Sequence, residues 1–111
     1  MQKIATAVEW IKVKKESNSQ CVVLFKHDAL NEQSIRTYES MMQAEYADIL
    51  EEMPVYVIVV GEADGIISMI ASEMGCKPEN IQIIVLWKEK PKHLFLYNEV
   101  DPGLLILACQ S

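Results

Sequence analysis

The sequence predicts one α/β domain, residues 1–111, built on a mixed sheet of four strands and a small possible fifth, with helices on both faces. Three observations predict it. Apolar runs rich in β-branched residues stand at 21–25, at 55–60 and, interrupted by Gln82, at 81–87, and runs of that length fit strands covered on both sides. Segments of helical spacing separate them. The first strand–helix–strand unit implies parallel pairing with a right-handed crossover, whereas the closing hairpin must be antiparallel, so the sheet is mixed.

A small strand is expected at Gln2 to Ala5. Thr6-Ala7-Val8-Glu9 reads as a capping box: the Thr hydroxyl meets a backbone N–H while the Glu reaches back. Trp10 and Val13 then line one helix face, and Ser17 to Gln20 ends it in a polar turn. Cys21 to Phe25 is the first buried strand, Lys26 to Asn31 the turn after it, and a long helix is expected from Glu32 to Glu52. Ile35, Tyr38, Met41, Met42, Tyr46, Ile49 and Leu50 recur at helical spacing along it. Pro54 interrupts that pattern. Val55 to Val60 is the clearest buried strand, and Asp64 is read as the cap of a helix ending at Gly75. Ile81 to Trp87, a loop over Lys88 to Lys92 and a return over His93 to Tyr97 form the hairpin. Asp101 followed by Pro102 opens a last short helix.

Composition narrows the function classes. The formal net charge is -6, from 10 basic and 16 acidic residues. That balance opposes the nucleic-acid backbone and an anionic membrane surface. No apolar stretch reaches membrane-spanning length. The N-terminal residues lack the pattern of a secretion signal, so a cytoplasmic protein is expected. The three cysteines, Cys21, Cys76 and Cys109, are odd in number and widely spaced. This spacing argues against a disulfide framework, and no C-x-x-C pair or Cys/His metal spacing occurs. Neither a metal nor another cofactor is expected.

Several short motifs carry a family resemblance. They are Glu9-Trp10, Val22-Val23-Leu24-Phe25-Lys26-His27, Pro54-Val55-Tyr56 and Glu73-Met74-Gly75-Cys76-Lys77. Together with the element order, they make the chain resemble the monothiol bacilliredoxins of the thioredoxin-like superfamily over roughly residues 4 to 100. The resemblance implies a strand ending in Phe-Lys-His that runs into a Cys-Pro-Ile-Ser turn, whose Cys is a thiol-exchange nucleophile at a helix N-terminus. In this sequence Asn31 stands at the Cys position, Glu32 and Gln33 replace Pro-Ile, and only Ser34 matches. Ile81 stands where the fold carries a proline facing that Cys.

Thiol exchange requires a thiolate, and a helix N-terminus favours one through its unpaired N–H groups and dipole. An amide forms no mixed disulfide, but Asn is among the preferred N-caps. Asn31 is therefore read first as a cap and second as a polar contact for a partner. Asp28 and Glu32 would raise the pKa of any thiol placed there. His27, at a strand end where open α/β sheets bind ligands, has no evident catalytic partner, and Ser34 has no evident base.

Cys76 has two readings: a small buried hydrophobe, or a relocated thiol near the former site with Lys77 lowering its pKa. Cys21 is read as core, and Cys109 as a thiol open to adventitious oxidation. Leu104, Leu105, Ile106 and Leu107 cannot all face one core from a single short helix, so part of this run is a candidate interface. The expected function is a degenerate, non-catalytic protein-binding or self-assembly module. The alternatives are a redox protein using Cys76 and a small-molecule site near His27 and Asn31.

Overall fold

The computed structural model describes residues 1–50, 53–80, 82–96 and 100–110. The elements in chain order are β1 (Gln2–Lys3), α1 (Ala7–Glu16), β2 (Val22–His27), α2 (Glu32–Tyr46) and β3 (Val55–Val59). Then follow α3 (Asp64–Met74), a 3-10 turn (Pro78–Asn80), β4 (Ile83–Trp87), β5 (Lys90–Phe95) and α4 (Pro102–Gln110). The sheet order is β1-β3-β2-β4-β5. The pairs β1–β3 and β2–β3 are parallel, while β2–β4 and β4–β5 are antiparallel. The expected mixed sheet is therefore present, with its fifth strand.

Strand alternation divides the core into two layers. Val22 and Leu24 pack with Trp10, Val13, Ile66 and Ile70 of α1 and α3. Val23 and Phe25 pack with Met41 and Ala44 of α2 and with Leu105 and Ala108 of α4. Among the described residues no helix is long and apolar enough to cross a membrane.

The Thr6 capping box forms as expected, with the Glu9 N–H donating to Thr6 Oγ1 at 3.2 Å. Asp101 caps α4, its Oδ1 accepting the Leu104 N–H at 3.1 Å. Four readings change.

First, α2 ends at Tyr46 rather than Glu52. Asp48 takes a left-handed conformation with φ 58. The Ile49 N–H then returns to Ala44 O at 2.9 Å and the Asp48 N–H to Glu45 O at 3.1 Å, a Schellman stop. Asp tolerates that conformation better than most residues, so the helix stops without a glycine.

Second, the inward row of α2 is Ser34, Thr37, Met41 and Ala44. Their mostly small side chains let the helix lie close over β2. Ile35, Met42, Ile49 and above all Tyr46, 94% exposed, face outward instead. Third, Ala63 rather than Asp64 is the N-cap of α3. Asp64 sits in the first turn, and its Oδ1 accepts the Gly61 N–H at 2.8 Å. Gly75 closes this helix with φ 71, as its sequence position predicts.

Fourth, the basic hairpin loop shrinks to Lys88 and Glu89, both left-handed at φ 53 and 63. This is the primed geometry that matches strand twist. Lys90 to Lys92 consequently belong to β5, the edge strand, where Pro91 is tolerated. Strand β4 begins at Ile83. Ile81 and the Tyr97 end of the expected return strand lie outside the described residues.

Candidate functional site at the carboxyl end of β2

Strand β2 delivers His27 to the sheet's carboxyl edge, and the chain turns through Asp28 into the first turn of α2. Two caps fix the turn. The Leu30 N–H donates to Asp28 Oδ1 at 2.9 Å, and the Ser34 N–H donates to Asn31 Oδ1 at 2.9 Å. Asn31 is thus the N-cap, committed to one of the donors a thiolate would otherwise use.

Ser34 is fully buried. Its Oγ accepts the Asp28 N–H at 2.8 Å and lies 2.9 Å from His27 Nδ1. The hydroxyl thus bridges the Asp28 backbone and the His27 ring. The His27 ring stacks on Tyr38 at 4.5 Å and on Phe25 at 5.6 Å between centroids. Burial pulls the His27 pKa below its usual 6.5, partly offset by the negative charge of Asp28. The imidazole is therefore neutral at pH 7. Chemically, this cluster fixes a turn and offers no reachable nucleophile, because Ser34 is enclosed.

The structure brings His27, Asn31 and Ser34 together. The seven-residue spacing of His27 and Ser34 across strand, turn and cap carries this signal, although sequence reasoning found Ser34 no partner. Reasoning also passed over Leu30, whose side chain is 97% exposed immediately before the cap. Val60 lies alongside, its N–H donating to His27 O at 2.9 Å, and is itself exposed.

Cys76 does not join this cluster. It packs against the α1/α3 layer, on the sheet face opposite α2. There it lines a small cavity of about 20 Å³ with Lys26, Pro78 and Gln82. Burial pushes its thiol pKa up, and the opposing cation is Lys26 rather than Lys77. Lys26 is itself buried, with Nζ donating to Pro78 O. Cys76 is thus half-buried and protonated at neutral pH, which is unfavourable for a relocated nucleophile.

The apolar tail divides. Leu105 is fully buried and Ile106 half-buried, whereas Leu104 and Leu107 are exposed at 40% and 63%. Only the last two remain interface candidates. Cys21 and Cys109, expected to be separate thiols, form a disulfide with Cα atoms 5.6 Å apart. Their 88-residue separation gave the sequence no local signal. Among the described residues no group of three His, Cys, Asp or Glu side chains gathers to hold a metal ion.

A sheet of order β1-β3-β2-β4-β5 with a helix capped at the end of β2 defines a thioredoxin-fold protein, and solved structures agree. A protein assigned a thioredoxin fold and, provisionally, oxidoreductase activity superposes with a TM-score of 0.80 at 18% identity, covering 96% of this chain and 91% of its own. A Fasciola hepatica thioredoxin gives 0.69 at 13% identity, covering 99% and 98%. A chain from a study of thiol resolution in yeast mitochondrial 1-Cys peroxiredoxin by the glutathione and thioredoxin systems gives 0.71 at 13% identity, covering 99% and 93%. Residues 2–95 match the family described as monothiol bacilliredoxin BrxC, and the chain belongs to that family. No curated protein matches it.

Proposed function

We propose that this domain is a bacilliredoxin-family member that binds a protein partner at the carboxyl end of β2 without performing thiol exchange there. One observation carries the reading: Asn31, which the family resemblance puts at the thiol position, spends its side chain on the Ser34 N–H at 2.9 Å. Leu30, exposed beside it, supplies apolar contact area of the kind that marks association surfaces. The neutral, stacked His27 and the Asn31 cap hold the turn that presents Leu30. A heterologous partner is favoured over a second copy, because the Leu104 and Leu107 surface that would serve self-assembly is reduced to two side chains.

The test is an affinity capture with the whole chain and a Leu30→Ser variant, which alters an exposed side chain only. The reading predicts a protein held by the unmodified chain, released without reductant and lost in the variant. Equal capture by both chains, or release only by reductant, would overturn it. Light scattering over a concentration series separates out the self-association reading, for which a growing mass is required.

A further inference from the structure

The two sulfurs that sequence reasoning kept apart meet at the opposite end of the sheet. Cys21 immediately precedes β2, and Cys109 lies in the last turn of α4. Six residues of β2 separate this end from the Asn31 turn, about 20 Å at strand rise. We propose that Cys21 and Cys109 form a reversible dithiol–disulfide site that exchanges with low-molecular-weight thiols, distinct from the family's thiol position.

Three observations support a reactive pair rather than a buried staple. Both cysteines are half-buried and open onto a groove of about 380 Å³, lined with Asp48, Ile49, Met53 and Ile106. Lys92 Nζ donates to the Cys109 carbonyl at 3.2 Å, which sets a cation beside this residue. That contact ties the last turn of α4 to β5 without involving the sulfurs. Finally, α4 does not depend on the bond for its seat, because Leu105 is fully buried and Ala108 packs in the α2/α4 layer. Opening the disulfide leaves those contacts in place.

A thiolate attacks one cysteine sulfur, the S–S bond breaks, and its electron pair leaves on the other cysteine, which takes up a proton. A second thiol attacks the mixed disulfide and releases the first cysteine. Two small thiols are oxidised to their disulfide, and the protein disulfide is reduced to two thiols. The reverse direction needs the small-molecule disulfide as oxidant.

Glutathione and glutathione disulfide serve as the probe. The whole chain is equilibrated across their ratios, quenched in acid, denatured and alkylated, and its thiols are counted by mass. The proposal predicts one alkylated thiol at the oxidising end and three at the reducing end, with native circular dichroism throughout. Three thiols at every ratio would show that the pair does not form and would overturn the proposal. One thiol at every ratio until urea unfolds the chain would show a fixed structural bond and would overturn it as well. None of these results depends on whether Leu30 binds a partner.

Discussion

Replacing Ser34 with Ala tests the turn that Asn31 caps. The Ser34 hydroxyl accepts the Asp28 N–H at 2.8 Å and meets His27 Nδ1 at 2.9 Å. It is fully buried, so water cannot take its place without repacking. Two intramolecular hydrogen bonds at about 1 kcal/mol each set the loss near 2 kcal/mol. Alanine's better helix propensity returns about 0.5 kcal/mol. The expected net loss is about 1.5 kcal/mol, a fall in Tm of about 6 °C for a domain of this size.

The assay is urea unfolding followed by Trp fluorescence. Ser40→Ala, an exposed site on the same helix, serves as control and should be neutral or slightly stabilising. In the same variant the His27 ring loses its Ser34 partner, so its ring resonances should shift in NMR spectra. A Ser34→Ala chain as stable as the Ser40→Ala control, with unmoved His27 ring resonances, would refute the assigned network.

Three further predictions follow from the same contacts. The folded His27 pKa lies below the unfolded value near 6.5 because of burial, so the unfolded chain binds the proton first. His27 therefore contributes stability that is full above pH 6.5 and lost as pH falls through its lowered value; unfolding midpoints in urea at pH 5 and 7 check this, and His27→Gln should flatten that segment. Leu105→Ala opens a cavity in the α2/α4 layer and should cost about 2–5 kcal/mol, whereas Leu107→Ser, at an exposed site, should stay within about 0.5 kcal/mol; thermal melts of both variants distinguish core from surface on one helix. Gly75 is left-handed at φ 71 with open space around its Cα, so Gly75→Ala should cost about 1 kcal/mol through backbone strain alone, measured by chemical denaturation.

The three central strands were readable because they are apolar runs, and three helix starts were readable because their caps are local. Thr6 with Glu9, Asn31 with Ser34, and Asp101 with Leu104 each span three residues, and all three form. The end of α2 was not readable, because Asp48 adopts a conformation for which glycine is the usual signal. The inward face of α2 was misread because Ser34, Thr37 and Ala44 are not large apolar residues. Close approach to the sheet selects small side chains there. At the candidate site, the Asn31 cap was legible in the sequence, but the Ser34–His27 contact required the fold. The Cys21–Cys109 pair lay beyond sequence reasoning altogether, because tertiary packing alone joins positions 88 residues apart.

Asn31→Cys tests most directly the proposal that Asn31 stands at the family's thiol position. The unmodified chain and the variant are each mixed with glutathione disulfide under native conditions, and adducts are mapped by peptide mass spectrometry against time. If the α2 terminus keeps the family's geometry and lacks only the thiol, the variant acquires a glutathione adduct at position 31 well before any forms on Cys76. An unmodified chain that reacts through Cys76 as fast as the variant does at position 31 would contradict that assignment.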